Sequence, residues 1–242
     1  MIDIFITAYL RPHFTSNTIK YLIERTEYPY QLWLIDYGEN QKVWHKFKNN
    51  PEILNLFNLI KISDNLGIHA AWNIALALAN NDYFITSDND IYVPDLDPDW
   101  LTQLIKFMDE RPDYGAISLH PHVFIGASEI PLDTPDDVVE RNMCGAVMRI
   151  MRTEAVRKVG GWERKFEIGR DHEESWICSH LQAAGYKTGI TPRLRAYHEF
   201  GQNWGYPIEF TPEMQKHNPD LSEYVTKFDR IEAYDQKTWY PK

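Results

Sequence analysis

Tyr83-Phe84-Ile85-Thr86-Ser87-Asp88-Asn89-Asp90 is a short apolar run that ends in two carboxylates flanking one amide. Aromatic and β-branched residues at 83–86 suit a strand. Asp and Asn dominate turns for local reasons, so a plain turn is one reading of 87–90. The position favours another: where a chain leaves a sheet, paired carboxylates can be aimed at one point. Hard divalent cations such as Mg²⁺ or Mn²⁺ take oxygen ligands of this kind and often share them with phosphates.

Working back from this point, Ile68, Ala71, Trp72, Ala75, Leu78 and Ala79 recur at helical spacing and predict one apolar stripe. Leu56 to Ile62, Gln31 to Asp36 and Ile2 to Thr7 read as strands, Ser16 to Arg25 as a helix, and Val43 to Lys48 as a short one. Alternating strands and helices imply crossovers and a mainly parallel sheet with helices on both faces, an α/β fold. Ligands of such sheets collect beyond the strands' carboxyl ends. Those ends carry Thr7, Asp36, Asp64 with Asn65, and Asp88 with Asp90.

Forward of Asp90, the pattern predicts a helix from Asp99 to Glu110, a strand from Tyr114 to Leu119 and a long loop from His120 to Arg141. A strand over Cys144 to Ile150 follows, then a helix from Thr153 to Val159 capped by Thr153 and stopped by Gly160-Gly161. A last helix runs from Glu173 to Ala184, and a strand end at Ala196-Tyr197 precedes His198. Gly201 to Lys242 is polar and aromatic and receives no assignment.

With 242 residues, 43% hydrophobic, the chain can bury one substantial core, and one domain is expected. A net charge of -10 disfavours nucleic acid and anionic lipid as partners. Cys144 and Cys178 form no metal-binding or redox motif, which points to reduced thiols in a cytoplasmic setting. Met1 to Leu10 lacks the basic start and cleavage site of a signal peptide, and no apolar run is long enough to span a bilayer. A soluble protein, at most peripheral to a membrane-bound acceptor, is expected.

Several segments, in order, resemble the family-2-type inverting glycosyltransferases of the GT-A fold. Phe5 to Arg11 is similar to their first strand and loop, and Leu34 to Gly38 to their second strand end. Ile62 to Ile68 and Ala71-Trp72-Asn73, followed by 83–90, are similar to the approach to their DXD motif. Val159 to Glu163, the acidic run Asp171-His172-Glu173-Glu174, Ala184 to Lys187 and Tyr197-His198 resemble the family's second half. The resemblance covers about residues 2–200. It implies a Rossmann-like GT-A domain over 1–200, with a nucleotide-binding half at 1–95, an acceptor and catalytic half at 96–200, and a C-terminal extension at 201–242.

The resemblance also implies roles. Thr7, Ala8, Arg11, Asp36, Asp64, Asn65, Gly67, Asn73, Asp88 and Asn89 would line the nucleotide-sugar pocket. Asp36 would accept from a base N–H, a reading that stands ahead of its alternative, the end of a strand in an Asx turn; Gly67 could simply start a helix. Asp88, Asp90 and His198 would hold Mn²⁺ or Mg²⁺ on the donor diphosphate, although a lone histidine is as often structural. Inverting transfer needs a base for the acceptor hydroxyl. The family's Glu-Asp pair falls on Glu173-Glu174, a departure at the second position. Glu174 is preferred as the base, with Asp171 the alternative register; acidic residues also suit helix N-termini for dipole reasons. Trp162 would pack under the acceptor sugar or else lie in the core. Arg149, Arg152, Arg164, Arg170 and Arg193 could answer phosphates, but solvated faces explain most such charges.

The donor would be a nucleotide sugar, UDP-linked by family habit, and the acceptor a glycan, lipid or protein hydroxyl. A nucleotidyltransferase would need a glycine-rich loop after the first strand, and Ala8-Tyr9-Leu10-Arg11-Pro12 contains no glycine. A non-catalytic carbohydrate- or nucleotide-binding module of the same fold is the remaining alternative.

Overall fold

Strand β1 (Ile2–Ala8) sends Ile2, Ile4 and Ile6 to one side and Phe5 to the other, and this alternation organises the molecule. The structure, a computed structural model, describes residues 1–9, 12–36, 57–61, 66–122, 134–163 and 173–198. After β1 come α1 (Pro12–Arg25), β2 (Tyr30–Asp36), β3 (Phe57–Lys61), α2 (Ile68–Leu78) and β4 (Tyr83–Asp88). β3, β2, β1 and β4 lie side by side and are all parallel. The first core packs Ile4 and Ile6 on Ile19 and Leu22 of α1; the second packs Phe5 on Ala71, Trp72 and Ala75 of α2. Asp3 shares the Phe5 side and is buried, but its carboxylate accepts from Trp33 Nε1 and Asn81 Nδ2, both at 2.9 Å. The buried charge thereby ties β2 to the turn before β4.

The second half adds β5 (Ile91–Tyr92), α3 (Trp100–Asp109), β6 (Tyr114–His122), β7 (Val139–Glu140), β8 (Arg149–Arg152), α4 (Thr153–Lys158), α5 (Glu173–Ala183) and β9 (Lys187–His198). The sheet order is β3-β2-β1-β4-β8-β6-β9-β5, with β7 also paired to β9. β8 runs antiparallel between β4 and β6, whereas the long β6/β9 ladder is parallel. The long ladders are therefore parallel and the short ones antiparallel, a mixed α/β sheet with helices on both faces. α3 covers the α1 face, and α4 and α5 cover the α2 face. Asp99 caps α3 by accepting from the N–H groups of Leu101 at 3.1 Å and Thr102 at 3.4 Å.

Three local expectations change. The strand expected over Cys144 to Ile150 begins only at Arg149, because Met148 takes a left-handed φ of 45° that no ladder accommodates. Thr153 does not cap α4: Arg152 holds that position, and the Thr153 hydroxyl donates instead to Asn81 O at 2.6 Å. The loop expected over His120 to Arg141 is shorter at both ends, since β6 continues through His122 and β7 pairs with β9. The double glycine does stop α4, with φ of 84° at Gly160 and 74° at Gly161. The helix expected at Val43 to Lys48 and the segment 201–242 lie outside the described residues.

Candidate active site

The parallel register brings the strand ends together. Thr7 pairs with Asp88, Ala8 with Asp36 and Asp36 with Lys61, so the carboxyl ends form one rim. Asp36 is buried at this rim, and Thr7 is buried with its Oγ1 unpaired among the described residues. Ala8 turns its methyl into the α1 core, which leaves only its backbone for the rim. Gly67 is the N-cap of α2 with φ of 80°, so it does start a helix, and a side chain there would meet open space but a strained backbone. Arg11, Asp64, Asn65 and Asp171 lie outside the described residues.

Asp88 ends β4, and Asp90, 1% exposed, follows two residues later. The intervening Asn89 turns away: its Nδ2 donates to Thr15 Oγ1 at 2.8 Å, and its carbonyl accepts from Thr18 Oγ1 at 2.8 Å. Asn89 is thus an anchor on α1, in place of the expected nucleotide contact, and this anchoring fixes where its acidic neighbours point. His198 arrives from the far end of the chain through the short β5/β9 ladder, Ile91 opposite His198 and Tyr92 opposite Tyr197. The rings of Tyr92 and Tyr197 stack at 5.5 Å and hold that register. His198 Nε2 lies 3.3 Å from Asp90 Oδ1. One ligand atom from each of Asp88, Asp90 and His198 fits within a 4.8 Å cluster, a donor set of carboxylate oxygen and imidazole able to hold a divalent metal ion.

The acidic helix start lies across from this cluster. α5 begins with Glu173-Glu174, where the helix dipole favours negative charge. Glu174 Oε1 accepts the backbone N–H of Ala146 at 2.7 Å, and the carbonyl of Ala146 accepts the N–H of Asp88 at 3.0 Å. A single residue, Ala146, therefore bridges the end of β4 and the first turn of α5 through its own N–H and carbonyl. Glu173 is 7% exposed; burial first, then the charges of Glu174 and Asp88, push its carboxyl up to about 8.

Two expected contacts prove to be internal. Trp162, 2% exposed, lies in the α2 core, so its ring offers no face to an acceptor sugar. Asn73 serves Trp162 rather than a nucleotide, donating to the Trp162 carbonyl at 2.9 Å and accepting its N–H at 3.0 Å. A Cβ on Gly161 would approach Asn73 Oδ1 to 2.6 Å, which is why glycine stands there. Arg149 is not on a solvated face but is fully buried, beside Thr86, Cys144 and Trp162. The signal was in the sequence: one cation inside the apolar run from Ala146 to Met151 has no solvent side to occupy. Cys144 and Cys178, far apart in sequence, meet in this core with their sulphurs 3.6 Å apart.

Residues 3–181 match the model of the glycosyl transferase family 2. The chain belongs to that family. Its fold is similar to three solved structures. One is the mannosyltransferase PcManGT of Pyrobaculum calidifontis with GDP-Man and Mn²⁺, at 13% identity, a TM-score of 0.66, and coverage of 95% of this chain and 65% of that one. Another is TarS 1-349 of S. aureus with UDP-GlcNAc, at 13% identity, a TM-score of 0.62, and coverage of 81% and 57%. The third is GalNAc-T7 with UDP, GalNAc and Mn²⁺, at 14% identity, a TM-score of 0.66, and coverage of 82% and 44%. At this identity the likeness is one of fold, GT-A, and the chain spans less than two thirds of each structure's length. No curated protein matches the family-2 chain in sequence. No helix among its described residues is long and apolar enough to cross a membrane.

Proposed function

We propose that this family-2 chain transfers a sugar, with inversion, from a nucleoside diphosphate to an acceptor hydroxyl. The observation that carries the reading is the placement of the Asp88, Asp90 and His198 cluster on one side of Ala146 and Glu174 on the other. Inverting transfer needs that division: the diphosphate leaves on one face of the sugar while the acceptor oxygen enters from the opposite face. The three clustered ligands would hold Mn²⁺ or Mg²⁺, which when bound neutralises charge on the departing diphosphate.

Thr7 and Asp36 sit on the rim where a nucleoside would lie, with the backbone of Gly67 beside the start of α2. Arg11, Asp64 and Asn65 keep the donor-pocket roles that the family resemblance gives them. UDP is the first nucleotide to try; the solved relatives carry either UDP or GDP linkages. Glu174 is the base. One of its oxygens is anchored, which fixes the carboxylate's direction and leaves the other oxygen for the acceptor proton. Glu173, held protonated near neutral pH by its surroundings, is a poor proton acceptor there. A glycan, lipid-linked or protein hydroxyl is the acceptor class.

The test is a panel of nucleotide sugars assayed for Mn²⁺-dependent hydrolysis, with melting followed in parallel. The expected result is turnover of one donor and a rise in melting temperature that needs both metal and nucleotide. Asp90→Ala should remove both while the protein stays folded. Full activity in that variant sinks the metal assignment, and stabilisation without any turnover favours the binding-module reading.

A further inference from the structure

We infer that Arg149 is a positioning residue that sets the separation between Glu174 and the Asp88, Asp90 and His198 cluster. The inference rests on the transferase reading of that site and adds a residue which takes no part in binding or chemistry.

Arg149 is 0% exposed, a rare state for a guanidinium. Its Nε donates to Thr86 Oγ1 at 3.4 Å and its Nη1 to the carbonyl of Cys144 at 3.3 Å. Thr86 is on β4, two residues before Asp88, and Cys144 is two residues before Ala146. The two donations therefore lie parallel to the peptide bridge already described, in which Ala146 links the Asp88 N–H to the Glu174 carboxylate. The segment from Cys144 to Met148 is tied to α5 and β6 by hydrogen bonds of its backbone, Cys144 N–H to Cys178 Sγ at 3.4 Å and Leu119 N–H to the Val147 carbonyl at 3.0 Å among them, and Arg149 adds a side-chain tie from its Cys144 end to β4. The segment belongs to no strand, contains Gly145 and carries the left-handed Met148. Met148 donates its N–H to Ser87 Oγ at 3.2 Å, which fixes one end of the segment. Arg149 holds the carbonyl at the other end, where the Cys144 N–H already rests on Cys178 Sγ.

The surroundings favour this reading over a packing role. The Arg149 guanidinium carbon lies 5.8 Å from the centre of the Trp162 ring, with Nη2 buried and unpaired among the described residues. A hydrocarbon side chain would fill this apolar core without leaving a donor unmet. A guanidinium can instead satisfy two oxygen acceptors on different segments at once, which a hydrocarbon cannot. Lys cannot span both acceptors with fixed geometry, because its single ammonium lacks the planar fork. Arg149→Lys therefore retains charge and volume but loosens the bridge.

The experiment uses the full chain in three parts. Turnover of the best nucleotide sugar is measured for wild type, Arg149→Lys, Glu174→Gln and the double variant; Mn²⁺ binding is followed by melting; and exchange of the Ala146 amide is followed by NMR. Arg149→Lys is expected to lower kcat about tenfold or more with donor KM within about twofold, and to cost nothing further once Glu174 is Gln. Mn²⁺ stabilisation stays unchanged, while the Ala146 amide exchanges about tenfold faster and amides of β1 keep their protection. Unchanged Ala146 exchange, a loss confined to KM, or a loss that adds in full to that of Glu174→Gln overturns the inference. Should wild type turn over no donor, the transferase reading fails, and Ala146 exchange in Arg149→Lys still decides whether Arg149 holds the bridge.

Discussion

The backbone N–H of Ala146 reaches Oε1 of Glu174 at 2.7 Å, and this short contact orients the carboxylate proposed as the base. Because the carbonyl of the same residue accepts from Asp88 N–H at 3.0 Å, the two functional ends cannot drift independently. General-base catalysis contributes about 10²- to 10⁴-fold. Glu174→Gln should lower kcat within that range and leave donor KM unchanged, whereas Asp171→Asn should change neither by more than a few fold. Steady-state kinetics on the pair decides. A larger loss at Asp171 transfers the base assignment to it.

His198 completes the cluster only because β9 pairs with β5, so its role can be separated from that of the aspartates. His198→Ala leaves Asp90 with Asp88 alone and should weaken Mn²⁺ binding by at least about tenfold, or 1.4 kcal/mol, as read by metal titration against melting temperature. Tyr197 and Tyr92 should still stack in that variant, so the metal-free protein should melt within a few degrees of wild type. An unaltered metal response removes His198 from the ligand set.

The paired aspartates were legible because a strand's apolar run ended abruptly in carboxylates, and the parallel half of the sheet because strands and helices alternated with clear periods. Both are local signals. The β5/β9 ladder was not legible: two residues of strand carry no period, and their partner lies a hundred positions away. The internal contacts of Trp162 and Asn73 were not legible for a related reason. Their mutual hydrogen bonds join α2 to the residue after Gly161, and nothing in either neighbourhood marks an aromatic residue as core or surface. Asn89 sits inside the functional motif, yet its side chain answers α1. A motif names the residues that belong together without saying which face each one turns to.

Trp162 packs in the core, so its loss should be a matter of stability. Trp162→Ala should cost about 3–5 kcal/mol, the usual range for emptying a buried indole site. For a domain of this size each kcal/mol moves the melting temperature by roughly 2–4 °C, so a fall of roughly 6–20 °C is expected. Trp162→Phe should recover most of it, since both rings fill the same space between α2 and α4. If Trp162→Ala melts like wild type and loses only acceptor-dependent rate, the ring serves the acceptor after all.

Glu173 gives the protein a pH dependence of definite sign. Its carboxyl stands at about 8 in the folded chain against an ordinary 4.5, raised by burial and then by Glu174 and Asp88. Folding therefore takes up a proton between those two values, and stability falls as pH rises through that window. Glu173→Gln keeps a neutral group in place and escapes the penalty. In metal-free buffer it should be more stable than wild type at pH 8, by about 4 kcal/mol, since the gap from 4.5 to about 8 exceeds three pKa units and each corresponds to about 1.4 kcal/mol. The advantage should shrink as pH falls and disappear below about pH 4.5, where wild type is protonated whether folded or not. Urea melts of both proteins at pH 5, 6.5 and 8 test this. A constant difference across the series, or one that grows towards acid, would mean that Glu173 is ionised in the folded protein and that its burial is offset by a partner cation.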